Sequence, residues 1–172
     1  RDGVVYCPPF CTSRVLRINS ATLEVEEIGP DLCMGGHKWS AAVSGDDGNV
    51  YCPPWCASKV IRINADVEGK DCVEFLKPDF GPGGGKWQAV VSGVDGFIFG
   101  VPWTAKVALR VDTREGLDID ERVETLKPQL GSEREKWGAV ALGLDHTLYA
   151  PPFNHAQVLH VSFLDARKDK TP

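Results

Sequence analysis

The sequence predicts an all-β, propeller-like array of four-stranded antiparallel blades, about three and a half repeats long, and three observations predict it. One short segment recurs as Asp2-Gly-Val-Val-Tyr, Asp47-Gly-Asn-Val-Tyr, Asp95-Gly-Phe-Ile-Phe and Asp145-His-Thr-Leu-Tyr. The repeats therefore start near residues 2, 47, 95 and 145, a spacing that belongs to propellers and arrays. Each copy alternates short β-compatible runs with Asp-Gly and Pro-Pro turn signals. The 172 residues also include 18 Gly and 12 Pro, as many short strands and turns require. Residues 1–172 are read as one repeat domain, with a polar C-terminal tail over 165–172.

The second repeat justifies the elements in order. The run 38–44, Lys-Trp-Ser-Ala-Ala-Val-Ser, is small and β-compatible, which suits the crowded innermost strand of a blade. Asp47-Gly48 then predicts a hairpin turn, because glycine tolerates positive φ. A second strand follows over 49–52. Pro53-Pro54-Trp55 makes a connection that cannot donate to a ladder, and 59–64 supplies a third strand. Val60 and Ile63 fall on opposite faces of it, one buried and the other partly covered. The fourth strand is 73–76, with counterparts at 23–28 and 123–126. Because the first copy lacks its Trp-bearing strand and the last its outer strand, two complete blades and two partial ones are expected. A four-bladed or incomplete propeller fits that count better than a larger ring.

The pattern Trp-x-x-Ala-Val, then Asp-Gly-x-(Val/Ile)-Tyr, then (Val/Ile)-x-Arg-(Ile/Val)-(Asn/Asp), resembles the repeats of the gluconolactonase, virginiamycin B lyase and NHL-like propellers over nearly the whole chain. It is also similar to repeats in large proteins of unicellular algae. The first resemblance implies a metal held by carboxylate and amide side chains, or a His and Glu beside a metal. No position here matches those residues, so no catalytic residue, metal ligand or cofactor is assigned. The second implies an accessory, peripheral subunit of a membrane-associated photosynthetic or respiratory complex.

Four of the six cysteines form two copies of one device, Cys7-Pro-Pro-Phe-Cys11 and Cys52-Pro-Pro-Trp-Cys56. In the third and fourth copies both positions change together, to Gly100 and Thr104 and to Ala150 and Asn154. Joint presence or absence favours a disulfide across each connection, worth only about 2 kcal/mol for so short a loop. Free buried thiols and a metal site are the competing readings. Cys33 and Cys72 have no counterparts. Disulfides would favour an oxidising lumen or the cell exterior.

The candidate binding residues come in two sets. Lys38, Lys86 and Lys136 each precede a Trp and ring one end of the array, where they would either meet an acidic partner or pack their stems on the ring with the charge in solvent. Phe10, Trp55, Trp103 and Phe153 sit in the Pro-rich connections, where they would either form an apolar stripe for a partner or tuck over their own hairpins. Trp39, Trp87 and Trp137 read as inter-blade core. His37 lies in a glycine-rich connection. His155 and His160 would bind a metal only with a third ligand. Gly83-Gly84-Gly85-Lys86 lacks the spacing and the following Ser/Thr of a phosphate loop and precedes a strand.

A net charge of -5 and a pI near 5.4 leave no basic field for nucleic acid. No apolar run reaches bilayer length, so a soluble chain without membrane insertion is expected. The start at Arg1 rather than Met suggests a processed product, a fragment or part of something longer. The function expected is a non-enzymatic protein-binding or scaffold module, with two rivals: the accessory subunit and a metal-dependent lactonase or lyase.

Overall fold

The computed structural model describes residues 3–162; Arg1, Asp2 and the 165–172 tail lie outside the described residues. Four antiparallel sheets follow one another along the chain. The first contains β1 (Val4–Cys7), β2 (Val15–Asn19) and β3 (Val25–Ile28). The second contains β4 (Val43–Ser44), β5 (Val50–Cys52), β6 (Ile61–Ile63) and β7 (Val73–Phe75). The third contains β8 (Trp87–Ser92), β9 (Phe97–Pro102), β10 (Ala108–Asp112) and β11 (Val123–Leu126). The fourth contains β12 (Ala141–Leu142), β13 (Thr147–Ala150) and β14 (Leu159–Ser162). Strands within each sheet pair in chain order, as in a propeller blade. Among the described residues two blades have four strands, and the first and fourth have three each.

The small-residue strands sit where packing demands them. β4, β8 and β12 form the inner edges of their sheets, and β8 touches both of the others. The second blade's inner strand is shorter than expected: only Val43 and Ser44 pair in its ladder, opposite Tyr51 and Val50.

The core lies between blades, so both faces of a middle blade are buried. Ile61 and Ile63 join Val15 of the first blade, whereas Val60 and Tyr51 join Trp87, Ile98 and Leu109 of the third. The opposite-face reading of Val60 and Ile63 is therefore right, and the half-covered one is corrected: all three positions 60, 61 and 63 are fully buried. Burying each such side chain contributes roughly 1.5–3 kcal/mol. Trp39, Trp87 and Trp137 are likewise buried, each indole N–H donating 3.0 Å to a carbonyl, that of Lys59, Val107 and Gln157 respectively.

An Asp-x-x-x-Tyr motif closes one end of the second and fourth blades. Asp47 accepts from the Asn49 amide side chain and the Tyr51 hydroxyl, both at 2.8 Å, and Asp145 accepts from Tyr149 at 2.7 Å. A Cβ on Gly45 or Gly143 would come within 2.9 Å of the tyrosine ring, which explains the glycine two residues before each Asp.

Candidate functional site

Antiparallel order places two sets of loops on one face of the array. A blade's first strand runs toward the Asp-Gly turn and its second runs back, so the Pro-rich second-to-third-strand loop and the connection to the next blade emerge together. The aromatic set and the lysine set consequently share this face.

Backbone hydrogen bonds weave the two sets into a belt. The Lys38 N–H donates to the Phe10 carbonyl at 2.7 Å, and the Lys38 carbonyl accepts from Trp55 N–H at 2.8 Å. The same step repeats from Trp55 through Lys86 to Trp103, and from Trp103 through Lys136 to Phe153, with bonds of 2.7–3.0 Å. Aromatic and lysine residues thus alternate across all four blades.

The lysine side chains turn inward. The Lys38 ammonium donates to the carbonyls of Thr12, Cys33 and Gly35 at 2.7–2.9 Å. Lys86 donates to Gly81 and Gly83, both at 2.8 Å, and Lys136 to Ala105 and Glu133 at 2.8 and 2.9 Å. Lys38 is 8% exposed and Lys136 0%. The expectation that these charges stay in solvent is corrected: converging carbonyls replace water around them. Burial pushes the Lys86 and Lys136 ammonium groups down in pKa, opposed by Asp79 near Lys86 and by the Glu133 carboxylate near Lys136. Two of the cages, those of Lys38 and Lys136, include a carbonyl of the preceding blade, so these lysines staple blades together.

The aromatics form a ladder that tucks onto the neighbouring blade rather than over its own hairpin. Trp55 and Trp103 meet at 5.9 Å between ring centroids, and Trp103 and Phe153 at 5.0 Å. A Cβ on Gly85 would lie 2.9 Å from the Trp55 ring, and one on Gly138 3.1 Å from Trp103. Each indole therefore rests on a glycine of the following blade. Phe10 stacks instead on His37, 4.7 Å away, and Trp137 faces His155 at 4.5 Å. Trp55 and Trp103 stay half-buried, while Phe10 and Phe153 are exposed.

The residue before each lysine was not singled out as a device in the sequence. His37, Gly85 and Glu135 all adopt positive φ, at 44°, 55° and 59°. That shared kink aims the lysine into its cage, and its signal was weak because only one of the three is glycine.

The disulfide expectation for Cys7, Cys11, Cys52 and Cys56 is overturned: all six cysteines are free. The two positions of the device serve different neighbours. Cys52 lies in the core cluster with Trp39, as Ala150 lies with Trp137, and a Cβ on Gly100 would lie 3.5 Å from Trp87 at the same place. This is a slot for a small residue under the tryptophan, where a thiol behaves as a small apolar group. The second position faces the connection to its blade's own inner strand: Cys56 N–H donates to the His37 carbonyl, the Thr104 hydroxyl donates to the carbonyls of Gly84 and Gly85, and the Asn154 amide donates to Glu135. With no disulfide, the argument for an oxidising compartment loses its premise.

Among the described residues no group of three or more His, Cys, Asp or Glu is placed to hold a metal ion, and no helix is long and apolar enough to cross a membrane. A cleft of about 430 Å³ lies between β1 and the second blade, lined by Val4, Tyr6, Arg17, Val43, Ala65 and Asp66 among others. None of the residues that line it belongs to the aromatic ladder.

Sheet order, inter-blade core and belt together define a β-propeller protein. Solved structures agree. The chain is similar to virginiamycin B lyase from Staphylococcus aureus, with a TM-score of 0.64, 17% identity, and coverage of 94% of this chain and 49% of that one. It is similar to Kuenenia stuttgartiensis hydrazine synthase, with a TM-score of 0.62, 13% identity, and coverage of 95% and 44%. An auxiliary nutrient binding protein from Bacteroides thetaiotaomicron matches with a TM-score of 0.54, 10% identity, and coverage of 87% and 42%. This chain spans less than half the length of each, and identities this low establish the fold alone. No family model and no curated protein sequence matches the chain.

Proposed function

We propose that this chain is a non-enzymatic propeller module whose loop face binds a protein partner or larger assembly. One observation carries the reading: Trp55, Trp103 and Phe153 form a continuous aromatic ladder across three blades, and the rung at its end is 64% exposed. Tryptophan and phenylalanine are enriched at protein interfaces, where a few such anchors carry most of the energy. In this reading Phe10 extends the stripe onto the first blade. Lys38, Lys86 and Lys136 serve the same face by holding its loops in place, with their charges committed to carbonyls.

The accessory-subunit reading differs only in the partner it names, and its photosynthetic or respiratory setting rests on the algal resemblance. The lactonase or lyase reading draws on fold likeness and has no residue of this chain to carry it. The test is capture by crosslinking in an extract of the native source, comparing wild type with the Phe10→Ser, Phe153→Ser variant. These two rungs are exposed, so the variant is expected to fold normally and lose the captured protein. Equal capture by wild type and variant would refute the reading.

A further inference from the structure

The five tryptophans fall into two classes by what their indole N–H groups meet. Trp39, Trp87 and Trp137 are buried, and each donates to a carbonyl at 3.0 Å. Trp55 and Trp103, the half-buried rungs on the two internal blades, donate to no group among the described residues. Their N–H groups are open to solvent, for the buried side-chain nitrogens that lack a partner belong to Arg62 and Arg122. A tryptophan taken out of water ordinarily finds a partner for this group. At Trp103 the ring is aimed to leave it free: a Cβ on Gly138 would meet the Cζ3 and Cε3 edge, the one farthest from Nε1.

The polar side chains that flank these rings are engaged. The Thr104 hydroxyl donates to the Gly84 and Gly85 carbonyls, and the Asn154 amide to Glu135. The Lys38, Lys86 and Lys136 ammonium groups are held by their carbonyl cages. The ladder therefore offers aromatic faces and two free donors. Successive rings are tilted by 40° and 48°, so neighbours leave part of each face uncovered.

We infer that the occupant of this face is a proline-rich segment in the polyproline conformation, its rings lying on the ladder and its carbonyls accepting from the Trp55 and Trp103 indoles. This rests on the loop-face reading above and names the chemistry of the partner. Proline has no N–H, and a polyproline backbone makes no internal hydrogen bonds, so it offers acceptors without donors. A face with free donors and committed polar side chains is its complement. One polyproline turn rises roughly 9 Å, close to the reach of the ladder's two steps of 5.9 and 5.0 Å. Such segments are preformed and dock on aromatic-lined grooves at little entropic cost. A sugar chain also stacks on aromatic rings, but its hydroxyls each donate and find fewer acceptors here.

Heteronuclear proton–nitrogen NMR of the full chain observes the five indole N–H signals. Titration with acetylated decaproline to about 1 mM, which captures even weak affinities, tests the inference. The Trp55 and Trp103 signals, assigned by their loss in Trp55→Phe and Trp103→Phe, should move and saturate while those of Trp39, Trp87 and Trp137 stay in place. Each substitution keeps a ring and removes a donor, so each should weaken decaproline binding roughly three- to tenfold with unchanged circular dichroism. A Gly-Ser peptide of equal length should move neither signal. Unmoved Trp55 and Trp103 signals would overturn the inference, as would shifts produced by the Gly-Ser peptide or by cellohexaose in place of decaproline. That failure is distinct from failure of the loop-face reading: capture of a native-source protein that depends on Phe10 and Phe153 would survive it, and loss of that capture as well would sink both.

Discussion

Replacing Lys136 by Met keeps most of the buried stem and removes the ammonium, which isolates the carbonyl cage. The side chain is fully buried and donates to Ala105 and Glu133 at 2.8 and 2.9 Å. Hydrogen bonds from a charged donor are each worth about 1.5–3 kcal/mol, and the two carbonyls left behind lose their partner in a site closed to water. Against this stands relief from burying a charge, which costs several kcal/mol before its bonds are counted. The balance is a destabilisation of about 2–4 kcal/mol, or a fall in Tm of roughly 5–15 °C for a chain this size. Urea unfolding followed by tryptophan fluorescence measures it, with Lys106→Met, an exposed lysine, as control. Lys38→Met should cost at least as much, because it empties three carbonyls. A Lys136→Met protein as stable as wild type would refute the claim that the cage joins the blades.

Three further outcomes follow from the same geometry. Gly85→Ala should destabilise by about 1–3 kcal/mol and shift the tryptophan emission, since its Cβ would meet Trp55 at 2.9 Å on a backbone of φ 55°. Thiol titration with a chromogenic disulfide should find Cys11 and Cys33 fast and Cys52 protected, because burial pushes the Cys52 thiol up in pKa; six thiols should react after unfolding without reductant. The Tyr149 hydroxyl, with the Thr147 N–H, holds the Asp145 carboxyl below the usual carboxylate range. Its stabilisation is present above the unfolded carboxylate pKa and is lost as pH falls through the lower folded value, so Tyr149→Phe should raise the Asp145 pKa in a carboxyl NMR titration.

Much of the architecture was legible because it is local and repeated. The Asp-Gly turn, the alternating strand that places Val60 and Ile63 on opposite faces, and the buried Trp39, Trp87 and Trp137 all follow from residue type and period. What escaped depends on how blades meet. Nothing in the sequence around Lys38 shows that Thr12, Cys33 and Gly35 turn their carbonyls toward one point, so the charge was expected in solvent. The paired cysteines followed the repeat faithfully yet answered to two separate neighbours, a tryptophan and a connecting loop, which one-dimensional bookkeeping merges into a single device. That the loop aromatics lie along one face follows from strand order, but their contact with Gly85 and Gly138 belongs to the curvature of the array.

The most direct test of the docking face is hydrogen exchange of the protein alone and in complex with the crosslinked partner. Added protection is expected across residues 53–57, 102–105 and 151–155, the loops that carry the aromatic ladder. Protection confined to the Asp-Gly turns at 45–48, 93–96 and 143–146 would place the partner on the opposite face and contradict it.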